Sequence, residues 1–577
     1  MEEQLTPQQY SSNTGQTDAT SGANASSGYG QPPLDNPAQN PYGLPPGQVP
    51  YYYATYVKPE RTPYSFRTCD AVYACFAFAI GFLCWQWELG SSFGTFLVHF
   101  IALIGTAIYL HVRGIRQTPR SLAVFVVSLL STLPFLLYDR GVTSQLFGIN
   151  LLLWLFVVFS SFYWVVVSTG NSIENRITGF VLADWQNQTF IVPFSNFLGV
   201  FISIKTAAKD TKAGKSFLIG IVGLCIAIPL IIGVTSLLIQ SDAGFEKFAD
   251  DFSKIIGLDS IGEYILKFII GIPIAMYLFG AVCGNVQKRY TGSVTKEKTE
   301  ASLAAAHRIP RVALITPLAA LCIIYTIYII VMSVYLFSAF AGILPEGFDT
   351  YAEYARRGFF ELCGVAAINL FILAFIYMFA KRNIGEYPKT LRIFTGILCI
   401  MTELLVVTAV SRMLLYVDVY GLSRLRIYTL WFLILLFVIF AILVIWHLRP
   451  YIRDKTGIKP LGAGRSIVLV SVCLILALFL TNTDGLIAKY NVWQYESGKT
   501  SSVDTEMLST MSDAVLPYLT DLKENAQDQK IQADAKQALD EIYDRHLYGT
   551  GMFPQPKDSF RDWSVQSAIY SKYLPKI

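Results

Sequence analysis

IYTLWFLILLFVIFAILVIWH, residues 427–447, is a run of 21 residues without a single Asp, Glu, Lys or Arg. A helix needs about 20 apolar residues to cross the hydrocarbon of a bilayer. Only a helix or a closed barrel satisfies its backbone hydrogen bonds there, and an unbroken apolar run of this length fits a helix. The run is not alone. Similar stretches lie at 70–88, 92–112, 120–138, 147–169, 216–240, 262–284, 312–340, 358–380, 393–416 and 466–485, so eleven spans are expected. Hydrophobic residues make up 53% of the 577-residue chain and charged residues 15%. A soluble domain carries about 25% charge. The fold class is therefore all-α: a polytopic transmembrane helix bundle.

Lys and Arg set the expected orientation. With the N-terminus inside, the inner segments hold 26 of them and the outer loops 7. Cytoplasmic loops carry the excess of positive charge. Eleven crossings then place the C-terminus outside, in a multi-pass protein of the cell membrane. The stretch FIVPFSNFLGVFISI, residues 190–204, is too short and too interrupted to count as a span. Its Phe190, Phe194, Phe197, Phe201 and Ile204 recur at helical spacing. An amphipathic helix over 188–204 lying on the inner surface is the expected form; a short re-entrant or spanning helix is the alternative.

The two tails differ. Residues 1–62 are rich in Gln, Pro and Tyr, as in YGQPPLDNPAQNPYGLPPGQVPYYY, and show no apolar period. A disordered cytoplasmic tail follows, with a docking segment for a protein partner as the sharper reading. Residues 63–489 form the membrane domain. Residues 490–577 carry a net charge of −4 against +8 for the rest. Ile531, Ala535, Leu539 and Ile542 make an apolar stripe, so an extracytoplasmic helical tail is expected, resting on the membrane part. A second helix over 503–522 is expected to be bent or broken at Pro517.

Nine cysteines lie in or beside the spans without a CxxC pair, and the five histidines are scattered. They read as packing residues, with no metal or other cofactor implied. The chain also lacks a Walker loop, GxSxG and HExxH, and nothing points to nucleic acid. An enzyme is the less favoured class, and the bilayer is the one partner that the composition demands.

Charged residues gather at the expected outer rim in three stretches: TYAEYARRGFFELCGVAAINL (350–370), YVDVYGLSRLRIYTLWF (416–432) and TNTDGLIAKYN (481–491). They bring Glu353, Arg356, Arg357, Glu361, Asp418, Arg424, Arg426 and Asp484 to one face, with Arg412 beside them. A charge in hydrocarbon is costly unless paired or wetted. Either the group is an ion-pair network centred on Glu361, or it is an outward-facing polar basin that holds an anionic or zwitterionic ligand. Two further polar residues lie within spans: Asn369, and Glu403 in ILCIMTELLVVTAV (397–410). They are candidates for helix packing or for proton or cation coupling.

YAEYARRGFFEL, YGLSRLR and NTDGLIAKYN resemble the motifs of a bacterial polytopic membrane family, the group named domain of unknown function 4153/4173. VDTEMLSTMSDAVLPYL (503–519) and FRDWSVQSAIYSKYL (560–574) are similar to that family's C-terminal pattern. The resemblance covers about residues 70–577 and implies a bacterial membrane protein without an assigned activity. Three function classes remain: a transporter or permease with a polar basin, a sensor or assembly protein acting through its tails, and a transferase for lipid-linked substrates.

Overall fold

The computed structural model describes residues 63–85, 92–138, 147–174, 180–209, 234, 258–340, 350, 353, 359–381, 387–456, 462–548 and 563–573. The N-terminal tail, the expected span at 216–240, and Arg356 and Arg357 lie outside the described residues.

Among the described residues nine helices are long and apolar enough to cross a membrane, or ten if one bent pair counts as a span. In chain order the first half comprises α1 (Thr68–Leu83), α2 (Ser92–Val112), α3 (Pro119–Leu137) and α4 (Phe147–Thr169). A broken segment follows: α5 (Val181–Gln186), a π-turn (Asn187–Ile191), α6 (Val192–Ser195) and α7 (Gly199–Lys209). α8 (Leu258–Val286) and the short α9 (Lys296–Ala306) come next. The second half holds α10 (Arg311–Phe340), α11 (Phe359–Phe379), α12 (Lys389–Tyr420), α13 (Arg424–Thr456) and α14 (Ala463–Leu480). α1, at 16 residues, is apolar but shorter than these nine.

Two cores hold the halves together. In the first, Tyr73, Leu110, Trp164, Val200 and Phe279 join α1, α2, α4, α7 and α8. In the second, Leu318, Ala366, Leu398 and Phe440 join α10 to α13. Phe479 of α14 reaches back into the first half beside Leu153. Lipid packs as well as leucine does, so close backbone approach matters more here than apolar burial. α1 and α8 cross at Gly81 and Gly271, where an added Cβ on Gly271 would lie 2.6 Å from the Gly81 carbonyl oxygen. Gly271→Val is expected to destabilise the protein by about 1–3 kcal/mol, the usual cost of overpacking. A thermal melt beside wild type checks this, with Gly364→Ala, whose added Cβ has nothing within 4 Å, as the neutral control.

A buried ionic group sits where α1 starts. Asp70 is fully buried, accepts from Arg67 N at 2.7 Å and Tyr109 Oη at 2.6 Å, and lies 3.4 Å from Arg113 Nε. The Arg67 amide bond ties the carboxylate to the first turn of its own helix.

The segment at 183–207 is bent by 49° between its two helical parts. α8 admits it closely at Gly280, whose Cβ would come within 2.5 Å of the Pro193 oxygen. Phe190, Phe194 and Phe201 point outward while Val192, Pro193 and Val200 are buried against the bundle. Phe190, Phe194 and Phe201 thus form the outer face of a broken, packed segment, while Phe197 and Ile204 of the same stripe pack against the first core.

The C-terminal unit begins at α15 (Thr483–Glu496), capped by Asn482, whose side chain accepts from Gly485 N. It continues through α16 (Thr505–Ser509), α17 (Leu516–Asn525), α18 (Gln529–Tyr548) and α19 (Val565–Tyr570). α15 starts inside the stretch 466–485 that reads as one span, because the Asn482 cap opens a new helix there. Pro517 starts α17 rather than bending a longer helix, since the first turn needs no amide from it. Ile531, Ala535 and Ile542 pack against Leu508, Leu516 and Leu519, and the same core includes Val417 of α12. The tail therefore rests on the bundle, through the end of α12.

Candidate functional site

The rim residues divide into those that meet and those that do not. α12 ends at Gly421, whose φ of 73° lets the chain reverse within three residues into α13. Arg424, the first residue of α13, grips Asp484 in the first turn of α15 through two parallel bonds, Nε to Oδ1 at 2.8 Å and Nη2 to Oδ2 at 2.7 Å. Ser512 N also donates to Asp484 Oδ2 at 3.0 Å. Asp484 is only 6% exposed. Burial alone would raise its pKa, but the bonds and charge of Arg424, with those of Ser512, outweigh burial and hold it below the usual carboxylate range.

Arg426 donates to the Tyr420 and Gly421 carbonyls at 2.7 and 2.6 Å and stacks over Tyr416. It closes the C-terminal end of α12, where free carbonyls need a cation. Two neutral amides do the rest. Asn491 accepts from Leu422 N at 2.6 Å and donates to its oxygen at 2.9 Å, and Gln494 donates to the Asp418 carbonyl at 2.8 Å. Asp418 meets Lys499 at 3.5 Å on the surface, where such a pair contributes little.

Arg424 with Asp484, and Asp418 with Lys499, thus form a strut between the bundle and its C-terminal unit, while Arg426 closes the end of α12 within the bundle. Glu361 stands apart: it is exposed in the first turn of α11, and no ion pair among the described residues links it to Arg412, Arg424 or Arg426. Arg412 is buried within α12, and Glu353 is exposed, its amide donating to Thr350.

Asn369 bridges three helices inside the bundle, accepting from Tyr325 Oη and donating to Thr402 Oγ1, both at 2.9 Å. Glu403 is not part of this chain. Its Oε2 is buried without a hydrogen-bond partner among the described residues. Among the described residues no group of three or more His, Cys, Asp or Glu is placed to hold a metal.

A cavity of about 940 Å³ lies at the opposite, basic end of the bundle. Leu370, Leu373 and Ala374 of α11, Leu443 of α13 and Ile467 of α14 form apolar walls. Aromatic rings line it nearer the helix ends, with Trp446 edge-on to Tyr387 at 5.3 Å and to Tyr377 at 6.3 Å. His447 is fixed by both ring nitrogens, to the Leu443 carbonyl at 2.7 Å and Thr395 Oγ1 at 2.8 Å. Arg449 and Arg465 supply positive charge to the lining. Its described carboxylate, Glu174, is engaged by Lys296 at 2.8 Å. The volume falls within the range of small-molecule sites, roughly 300–1,000 Å³.

A family model described as "Domain of unknown function (DUF4153)" matches residues 98–522. The chain belongs to the DUF4153 family. No curated protein and no solved structure matches it. The matched DUF4153 region runs from within α2 to within α17 and takes in both the Arg424–Asp484 strut and the described cavity lining. The resemblance read from the motifs at 351–362, 420–426 and 482–491 therefore identified the family correctly, and all three motifs fall inside the match.

The cavity was not among the expected sites. The signal for it was WHLRP at 446–450, an aromatic, a histidine and an arginine ending the most apolar span. The amides Asn491 and Gln494 gave none, because uncharged polar residues after a span are ordinary.

Proposed function

We propose that the protein is a permease-type membrane protein that takes an amphiphilic ligand with an anionic head group into the cavity at the basic end of its bundle. One observation carries this reading: apolar walls that end in an aromatic and arginine-lined mouth. Such a lining fits an acyl-like body and a negative head at once. The loop charges support a cytoplasmic position for this end, and an extracytoplasmic one for the strut and the C-terminal unit.

The outward-facing basin is the weaker version of the permease reading, because Arg424 and Arg426 already have protein partners. The transferase reading lacks a free acid or base among the described lining residues, with Glu174 tied to Lys296. The tight seating of the C-terminal unit suits a support for the bundle better than a free docking module.

The test is binding by the purified protein in an uncharged detergent. An anionic amphiphile such as phosphatidylglycerol is expected to raise the melting temperature more than phosphatidylcholine does. Trp446→Ala and Arg449→Gln should each reduce that response by about tenfold in affinity, the size of one lost aromatic or charge-assisted contact. An undiminished response in both variants would remove the cavity from consideration. Uptake of the bound amphiphile by reconstituted vesicles then separates a permease from a binding protein.

A further inference from the structure

The C-terminal end of α8 holds a second site, distinct from the cavity. The helix closes with Lys288 N donating to the Asn285 carbonyl and Arg289 N to the Gly284 carbonyl. Glycine is the usual residue at such a turn. Here Lys288 has a φ of 51° and Tyr290 a φ of 60°, a region that side-chain-bearing residues seldom occupy. The turn sends Arg289 inward. Its side chain stacks on Tyr64 with the guanidinium carbon 3.5 Å from the ring centre, and the residue is 8% exposed. Tyr64 is itself held by Asn196 Oδ1 at 3.0 Å.

Arg289 donates no side-chain hydrogen bond and forms no ion pair among the described residues, and its Nε is sealed from solvent. The carboxylates on the facing segment are engaged elsewhere, Glu174 by Lys296 and Asp184 by the Ile173 amide. A buried guanidinium without an acceptor is rare, because an uncompensated charge is costly in a dry interior.

Two more unmet polar atoms lie on the π-turn, which is bonded to the end of α8. Asn187 and Gln188 are 2% and 4% exposed. Asn187 Nδ2 reaches the Thr291 carbonyl at 3.3 Å, and Asn285 Nδ2 donates to Gln188 Oε1 at 2.6 Å, so the π-turn is bonded to the chain on either side of Arg289 in sequence. These bonds leave Asn187 Oδ1 and Gln188 Nε2 without partners. Single π-turns within helices recur at functional sites.

We propose that Arg289, Gln188 and Asn187 form a binding site for a phosphate-type oxyanion, either free or as a lipid head group. The guanidinium fork takes two oxygens of the anion, as it does with phosphate elsewhere. Gln188 Nε2 donates to a third oxygen, and Asn187 Oδ1 accepts from a hydroxyl on the anion or its ester. The Tyr64 stack holds the fork in place before the anion arrives.

The experiment uses the full-length protein in uncharged detergent. Melting is followed against inorganic phosphate, and separately in nanodiscs of phosphatidylglycerol or phosphatidylcholine. Stabilisation by phosphate assigns a free oxyanion; stabilisation by phosphatidylglycerol alone assigns a head group. In either arm Arg289→Gln is expected to weaken the response about 10- to 100-fold, the range of a lost bond to a charged group. Gln188→Leu gives a smaller loss and serves if Arg289→Gln does not fold. In the inorganic phosphate arm Trp446→Ala leaves the response unchanged, whereas it weakens the phosphatidylglycerol response of the cavity, which separates the two sites. The proposal is overturned if neither ligand stabilises the wild type, or if wild type and both variants respond alike; trapped water then meets the unpaired atoms.

Discussion

Asp484→Asn is expected to lower stability by about 3–5 kcal/mol, the usual cost of breaking one side of a buried pair. The substitution keeps the shape of the side chain but leaves Arg424 largely buried, its charge unanswered across the two bonds at 2.8 and 2.7 Å. Arg424→Gln should cost a similar amount, since it strands the carboxylate instead. The double variant should cost less than the sum of the two, because both remove one interaction. Glu361→Gln should stay within about 0.5 kcal/mol, as an exposed residue without an ion pair among the described residues.

The same pair predicts an acid limit. Asp484 has a folded-state pKa below its unfolded value, which is about 3.9. Its contribution is therefore fully present above that value and is lost as pH falls through the depressed folded pKa. Melting temperatures of wild type and Asp484→Asn should differ by a constant amount from neutral pH to about pH 5 and converge below about pH 4. A difference that grows on acidification would contradict the sign of the shift.

Spans were legible because a bilayer needs a minimum apolar length, and that length appears directly in the residues. Helix ends were not, because hydropathy marks the edge of the hydrocarbon rather than the end of hydrogen bonding. The loop read at 417–426 is largely helix: α12 runs to Tyr420 and α13 begins at Arg424. α13 likewise continues to Thr456, well past the apolar limit at 447. Asn482 was readable as a cap followed by Asp484 in a first turn, but Leu486 and Ile487 carried the apolar run across it. The charges of the strut could be located in the sequence, but their pairing could not. Arg424 and Asp484 are sixty positions apart on different helices, and no periodicity links them. The cavity escaped for a different reason. It is space left between α11, α13 and α14; WHLRP at 446–450 marks part of its lining, but not the gap that the helices leave.

Asp70→Ala is expected to be the most damaging single change in the first half of the bundle. Asp70 was not singled out from the sequence, where it is one acid at the margin of a span. In the fold it is fully buried and carries three partners: the Arg67 amide, the Tyr109 hydroxyl and Arg113. Alanine removes all three contacts and leaves the Arg113 guanidinium, itself largely buried, without an anion. The loss should reach about 3–5 kcal/mol, as for other stranded buried charges. Asp70→Asn should recover part of it: Arg67 N and Tyr109 Oη bond to different carboxylate oxygens, so the single amide oxygen keeps one of the two bonds while the charge is gone. Tyr109→Phe removes only the phenol donor and should cost about 1–2 kcal/mol. Melts of the three variants give the ordering. If Asp70→Asn melts no higher than Asp70→Ala, the charge on Asp70 outweighs its hydrogen bonds, and Arg113→Gln should then restore stability in the Asp70→Asn background.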